Sequence, residues 1–350
     1  VRLRLAVSGT GMTIGNYEYG RPFLLEAQRV AETLADRSWQ GHVAAAMASC
    51  ARPAGDLASA VSFGQQALEI ANEVDDHPLQ VVARFILACS ESNAGNFRRS
   101  LEHLTILLRT DGGDSDATFG LDTRPYAFPS VVRYWMTSNY LQLGEFTAAM
   151  RLVEEWTQRN ALHDDLLGTH ALLLHISQGK LQNAIGNSEM AIAAFETAVA
   201  AYRDDCHGHF HTPSAWGLGL AYALAGRISH ALVQFERAEA HAETIGSTAY
   251  MHTRLRHVAS SLIEAGRYDE AARMATEAIT LSRKGGIRPV EAGALALLGE
   301  IAKRQGHPNQ EMERRVLDAL TLAETLEMRP LAARCHLLLA WLYDKRNRPP

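Results

Sequence analysis

The sequence predicts an all-α fold, an α-solenoid of stacked antiparallel helix pairs, and three observations carry that prediction. A glycine recurs at intervals of 40, 40, 49, 42, 40, 40 and 40 residues. Apolar residues stand at helical spacing on both sides of each glycine, and small residues recur at fixed distances from it. Such regularity is typical of repeat proteins, in which each unit packs only on its neighbours. The eight glycines are Gly15, Gly55, Gly95, Gly144, Gly186, Gly226, Gly266 and Gly306.

About eight repeats and a terminal helix account for the chain, which we therefore predict to be a single solenoid over residues 1–350. Each glycine separates two helices, because glycine readily adopts the left-handed backbone that ends a helix. The predicted units are 1–40, 41–78, 79–110, 129–160, 164–204, 212–245, 248–285 and 288–326, followed by a terminal helix over 329–346.

Small side chains stand seven residues before and five residues after most of the glycines, as Gly219 and Ala231 do around Gly226. Small residues at these positions let the two helix backbones of a unit approach closely. We expect the larger residue just after the turn, such as Ile228, to fill the remaining gap.

This pattern resembles the tetratricopeptide repeat, most closely over 219–238 and 259–278. The resemblance implies a right-handed superhelix whose concave face is lined by the first helix of each unit. It also implies a binding role for that face. The units here run to about 40 residues, whereas the usual repeat has about 34, so the pitch and groove width of the family do not transfer directly.

A narrower resemblance concerns the two ends of the chain. The segments Arg2–Ala6 and Met328–Leu337, together with the period near 40, look like the C-terminal repeat region of large bacterial signalling ATPases. Many of those proteins carry an N-terminal adenylate or guanylate cyclase domain. The chain begins with Val1 and shows no leader pattern, so we expect it to be part of a longer protein.

Composition excludes several classes of protein. The formal net charge of −5, from 34 basic and 39 acidic residues, predicts no nucleic-acid partner. No run of 18 apolar residues occurs, so we expect no membrane span. Four widely spaced cysteines without a C-x-x-C pair favour the reducing cytoplasm. Cys50 and Cys89 lie in apolar helical stretches and are interpreted as small core side chains.

The longest interval between glycines marks an insertion at about 110–129. Its closely spaced aspartates at 111–116 only faintly resemble a calcium loop, because the glycine and glutamate positions do not fit. We favour a polar loop. The aromatic residues Tyr126 and Phe128 either tuck against the solenoid, which we favour, or contact a partner.

A dense cluster of potential metal ligands lies at 204–211. Imidazole and thiolate groups suit zinc or another first-row metal. The histidines would share one face of a helix or one side of a strand. The alternative, which we favour, is a polar connection between two units, and the predicted cofactor set is therefore empty. The candidate metal ligands are Cys206, His207, His209 and His211.

No enzymatic motif is present. The phosphate loop G-x-x-x-x-G-K-[ST], H-E-x-x-H and G-x-S-x-G are all missing from the sequence. We therefore predict that this chain is not an enzyme, although a parent protein could carry a cyclase or ATPase domain elsewhere.

The candidate binding surface follows from the tetratricopeptide resemblance, by counting back from each turn glycine to the positions that line the concave face. Its middle is aromatic and its C-terminal part is charged, a combination that suits a peptide-binding hot spot. The alternative is that the long helices bury those aromatics between units. The candidate residues are Phe85, Tyr134, Trp216, Arg256, Glu264, Lys303, Arg304 and Arg334.

The leading functional hypothesis is a regulatory or scaffold module that binds a protein, a peptide or the N-terminal domains of its own parent chain. Two alternatives remain: a small-ligand sensor within a multidomain switch, and a metal-binding protein that uses the 204–211 cluster. The sequence leaves the oligomeric state undetermined.

Overall fold

The computed structural model describes residues 1, 4–5, 17–52, 54–110, 128–160, 169–200, 211–244, 251–306 and 310–347. This described part of the chain contains 16 helices and no strand, and 89% of it is helical. The helices are α1 (Tyr17–Thr33), α2 (Arg37–Ala51), α3 (Leu57–Glu73), α4 (His77–Ala94), α5 (Phe97–Thr110), α6 (Phe128–Leu143), α7 (Phe146–Asn160), α8 (Thr169–Ala184), α9 (Ser188–Ala200), α10 (His211–Leu224), α11 (Ile228–Thr244), α12 (Met251–Glu264), α13 (Tyr268–Gly285), α14 (Arg288–Gln305), α15 (Gln310–Thr325) and α16 (Arg329–Asn347).

The turn glycines separate the two helices of each unit, as the sequence predicts. The seven from Gly55 to Gly306 all have a positive φ. Gly95, for example, has φ 94° and closes α4 by donating its N–H to the carbonyls of Glu91 and Ser92. Even-numbered helices are therefore the first helices of their units and odd-numbered ones the second. Gly15 lies outside the described residues.

Small residues before the turn do allow close packing, and in two units an aromatic ring of the second helix fills the space above them. The ring of Phe195, on the second helix α9, lies against the first helices on both of its sides. A Cβ at Gly179 would stand 2.6 Å from Cε2 of Phe195, and a Cβ at Gly217 would be closer still. Gly219 leaves the same room for Phe235. In these two units the ring comes nine residues after the turn glycine, and Ile228, two residues after Gly226, packs against the same apolar cluster.

The first helices form a continuous row, in which α6, α8, α10, α12, α14 and α16 each contact the next. This row turns back on itself. Helix α16 packs against α6, and α14 packs against α4, so contact is regained after five units.

A closing seam joins the two ends of this turn, with Gly95, Arg98 and Leu143–Glu145 on one side and Leu326–Pro330 on the other. Leu326 is 4% exposed and packs directly on Gly95. It belongs to the same apolar cluster as residues of α4, α5 and α6. Phe128 packs against the solenoid, as we expected. Its ring is 4% exposed and meets the ring of Phe85 edge-on, with centroids 5.6 Å apart.

Charged groups line the rim of the seam. Arg98 bridges Glu145 at 2.7 Å and Glu327 at 3.2 Å, so it joins units that are far apart in sequence. Arg329 donates from Nε to the carbonyl of Leu143 at 2.6 Å and reaches Glu145 at 3.3 Å. Exposed ion pairs of this kind contribute little stability individually. The apolar contacts of the seam therefore carry most of its free energy.

A half-buried histidine joins α6 to α8. Ser130 Oγ lies 2.6 Å from His170 Nδ1, and His170 Nε2 is buried without a hydrogen-bond partner among the described residues. Burial, and then the charge of Arg133, lower the pKa of His170 from 6.5 to about 4. The folded protein therefore holds this imidazole in its neutral form at neutral pH.

We expect Leu326→Ala to lower the free energy of unfolding by about 2–5 kcal/mol, because it removes buried methyl groups from the seam and leaves a cavity. Urea denaturation followed by circular dichroism measures this. The matched control is Leu337→Ala, since Leu337 is 70% exposed on α16. Equal transition midpoints for the two variants would show that the ends of the turn do not support one another.

We also expect Gly217→Ala to destabilise the protein by about 1–3 kcal/mol, because the new methyl group overlaps the ring of Phe195. Adding Phe195→Leu should restore part of this loss, since the smaller side chain vacates the space. A double-mutant cycle on the unfolding free energy checks the coupling. Simple additivity of the two changes would contradict the close packing described above.

Stability should fall as the pH drops from about 6.5 towards 4. The unfolded chain binds a proton at His170 with the ordinary histidine pKa of about 6.5, whereas the folded chain binds it only near pH 4. Between these two values the unfolded state therefore carries more protons, and a falling pH favours it. His170→Gln should therefore flatten the acid limb of a plot of Tm against pH. The same slope in the variant and the original protein would refute this assignment.

Candidate functional site

The interior of the solenoid collects basic side chains from three first helices. Lys180 comes from α8, Arg256 and His257 from α12, and Arg334 from α16. We call these four residues the inner basic cluster. Helices α8 and α12 are separated in the row by α10, and α12 and α16 are separated by α14. Lys180 nevertheless acts electrostatically on His257, and Arg334 acts on Arg256.

Lys180 is held in place by uncharged groups. Its Nζ donates to the hydroxyl of Tyr134 at 2.9 Å and to Oγ of Ser138 at 3.1 Å. The same Nζ lies 4.1 Å from the centre of the Tyr134 ring, a cation–π contact. These contacts fix the position of the ammonium group without neutralising its charge.

Arg256 reaches inward over a glycine. A Cβ at Gly293, on α14, would lie 3.1 Å from Cδ of Arg256, so the stem of the arginine runs close to the α14 backbone. Burial, and then the charge of Arg334, lower the pKa of Arg256 to about 10. Its Nη2 lies 3.3 Å from Nε2 of His257. The arginine remains charged at neutral pH and is poorly compensated.

His257 shares this environment. Burial, followed by the charges of Arg256 and Lys180, lowers its pKa well below 6.5. Lys180 therefore acts on a residue two first helices away. The imidazole is neutral at neutral pH, and its Nδ1 is buried with no hydrogen-bond partner among the described residues.

The predicted aromatic residues of the binding surface are not equally accessible. Phe85 is 7% exposed and Trp216 is 5% exposed. Both rings are therefore buried, which was the alternative to their lining an open binding surface. Tyr134 is half-buried and carries the contact with Lys180. Trp216 Nε1 is buried and finds no acceptor within the described ranges.

Two of the predicted charged residues pair with each other. Arg304 Nη2 reaches the carboxylate of Glu264 at 3.0 Å, and its Nε reaches Glu300 at 3.1 Å. These ion pairs join α12 to α14, and each charged group in them lies beside a group of opposite charge. Lys303 is half-buried beside it, whereas Arg334 is exposed. The role of all these residues in binding stays a prediction.

Lys180 and His257 were missed by the sequence reasoning. Counting back 10 and 13 residues from each turn glycine samples only part of the inward stripe. Lys180 stands six residues before Gly186, one helical turn further along the same face. Extending the count by one turn would have found Lys180, but His257 is displaced from that stripe and gave no such signal.

The metal hypothesis falls outside the described part of the chain. Cys206, His207 and His209 are not described, and His211 is described only by its backbone, as the first residue of α10. Elsewhere within the described ranges, no three His, Cys, Asp or Glu side chains come together as a metal site. No described helix is both long and apolar enough to cross a bilayer.

The described cysteines are structural. Cys50, Cys89 and Cys335 are buried free thiols. Burial raises the pKa of Cys50 and Cys89 to about 12 and that of Cys335 to about 11. A thiol is nucleophilic only as the thiolate, so these residues are inert at neutral pH.

Comparison with known proteins supports the repeat pattern. A family model described as tetratricopeptide repeat matches residues 259–308. No curated protein matches the sequence.

Two solved structures are similar over nearly the whole chain. One is a signal transduction ATPase with numerous domains (STAND) from Pyrococcus horikoshii, which has a tetratricopeptide repeat sensor. It is 14% identical with a TM-score of 0.51, and the alignment covers 95% of this chain and 53% of that one. This chain thus spans about half of that protein.

The other is a Rap protein complexed with competence and sporulation factor, 12% identical with a TM-score of 0.53 and covering 98% and 97% of the two chains. At such identities the likeness concerns the fold alone. Residues 259–308 thus carry a tetratricopeptide repeat, and the chain as a whole has the fold of tetratricopeptide-repeat solenoids.

Proposed function

We propose that this chain is a non-catalytic binding module of a larger signalling protein, which takes a peptide or a partner segment on the inner face of its solenoid. The observation that carries the proposal is the inner basic cluster, in which basic side chains of three first helices act electrostatically on one another, Lys180 on His257 and Arg334 on Arg256. Repeat solenoids characteristically use such concave surfaces for binding.

The similar structures agree with this role. One contains a tetratricopeptide repeat sensor in a STAND protein, and the other holds a bound competence and sporulation factor. By analogy, this chain would sense or bind on behalf of a parent protein, with an ATPase, cyclase or regulatory domain as candidates. Its three described free thiols suit a cytoplasmic protein.

The closing seam favours a second candidate function. Because α16 contacts α6 and α14 contacts α4, a bulky folded partner on the inner face would have to separate these helices. A small effector could bind without such an opening of the turn. A small-ligand sensor within the same multidomain switch therefore deserves a separate test from protein binding.

The proposal predicts that charge reversal inside the solenoid disrupts partner binding. Lys180→Glu combined with Arg334→Glu should weaken capture of a partner at least tenfold, because both residues belong to the inner basic cluster. The measurement is affinity capture from the source cells with mass spectrometry, followed by a titration with each purified partner.

The matched control reverses two charges on second helices. Arg237→Glu with Lys284→Glu makes the same change in net charge at exposed positions of α11 and α13. We expect this variant to bind like the original protein. A partner that is lost equally from both variants, or from neither, would contradict binding on the inner face.

A further inference from the structure

One face of helix α16 is apolar and uncovered. Ala333, Leu337 and Ala340 are all exposed, and they follow one another at intervals of four and three residues, so they form a single stripe along the helix. Leu337, at 70%, is the most exposed large hydrophobic side chain among the described residues. We call these three residues the α16 stripe. Contiguous apolar groups on the surface of a soluble protein mark a contact site.

The corresponding position of another unit is covered by a helix. Ala340 stands seven residues before Asn347, as Gly299 stands seven residues before the turn of its own unit. Gly299 is covered by Val316 of the following second helix, and a Cβ at this glycine would overlap with Cγ2 of that valine. Ala340 is exposed, and no described helix covers it. The α16 stripe thus keeps the small residue to which a large side chain packs elsewhere in the chain.

The α16 stripe is complementary to a second copy of itself in antiparallel orientation. When a two-fold axis passes midway between Leu337 and Ala340, the leucine of each copy faces the alanine of the other. A large side chain then meets a small one, as Val316 meets Gly299 within the chain. This contact occurs twice, because the two-fold axis repeats it.

The charged residues beside the α16 stripe favour the same orientation. Asp344 of one copy then stands level with Arg334 of the other, to within about 1.5 Å along the helix axis, and both residues are exposed. A parallel pair would instead set the two Asp344 carboxylates against each other, which is unfavourable. Docking of an unrelated helix would not require the charges of α16 to complement one another.

We propose that the α16 stripe is a dimerisation surface, on which a second copy of this chain docks its own α16 in antiparallel orientation. The contact runs from Ala333 to Asp344, about 16 Å along the helix. A single helix pair of this length buries less than the roughly 1,200 Å² of a stable interface, so the dimer is transient, with a Kd on the order of micromolar. The inference goes beyond the proposed function and does not depend on it, since the α16 stripe and the inner basic cluster share no residue.

Sedimentation equilibrium of the full chain, at about 1–200 μM, tests the dimer. We expect a monomer–dimer equilibrium. Leu337→Glu should weaken it about tenfold or more, because the new carboxylate replaces the apolar group that faces Ala340. The matched control is Met190→Glu, which makes the same kind of change at a side chain that is 60% exposed on α9. This control should associate like the original protein, and circular dichroism verifies that both variants are folded.

An exchange of charges tests the orientation. Arg334→Glu alone and Asp344→Arg alone should each weaken the dimer, because each sets like charges side by side across the two-fold axis. The double variant should recover most of the affinity, since the attraction returns with its signs exchanged. A purely structural role of either residue within its own chain predicts no such recovery of dimerisation.

A chain that stays monomeric at every concentration would overturn the proposal. Equal association of Leu337→Glu and Met190→Glu, or a double variant that associates no better than the single ones, would do the same. If the chain is monomeric and Leu337→Glu loses a captured protein, the α16 stripe docks another protein's helix, and the second copy is refuted.

The two proposals fail separately. Leu337→Glu leaves the inner basic cluster unchanged, so partner capture that survives the loss of the dimer supports the dimerisation surface and leaves the binding module intact. Dimerisation that is retained in Lys180→Glu while partner capture is also retained supports the dimer and counts only against binding on the inner face.

Discussion

The close approach of neighbouring helices, made possible by residues without bulk, is the constraint on which the rest of the structure depends. The Phe195 ring directs one edge towards a glycine of α8 and the opposite edge towards a glycine of α10, so α8, α9 and α10 pack at short range. In a solenoid, the small rotation between successive units sets the curvature of the whole. Tight packing within each unit is consistent with a turn so sharp that the row of first helices meets itself after five units.

That return changes the character of the concave face. In an open superhelix this face is a groove exposed to water, and its charges are screened by solvent. Here Leu326 packs on Gly95 and Arg329 bonds to the backbone of Leu143, so units five apart are held against each other. Electrostatic interactions are stronger where water is partly excluded. Half-burial of Arg256 and His257 is in keeping with the lowered pKa of each, to which Arg334 and Lys180 contribute.

Local features of the fold could be predicted from the sequence, whereas features that depend on accumulated geometry could not. Gly95 and its counterparts mark the turns because left-handed backbone at a helix end is a local requirement. The contact between Pro330 and Gly144 depends on small rotations summed over five units, and no local pattern records such a sum. For the same reason, the accessibility of Phe85 and Trp216 was left between two alternatives. The inward position of Lys180 could have been predicted from its distance to Gly186. Its electrostatic effect on His257 could not, because that effect depends on how α8 and α12 are arranged in space.

Closure of the turn and ligand binding on its inner face are thermodynamically linked. The apolar contacts of Leu326 hold the α15–α16 connection against α4 and α5 at the seam. A ligand that binds the closed turn more tightly than an open one would stabilise closure. By linkage, whatever opens the seam must weaken the binding of that ligand by the same free energy. A ligand on the inner face and a partner that binds Arg98, Glu145 or Glu327 at the rim would therefore change each other's affinity without touching the same residues.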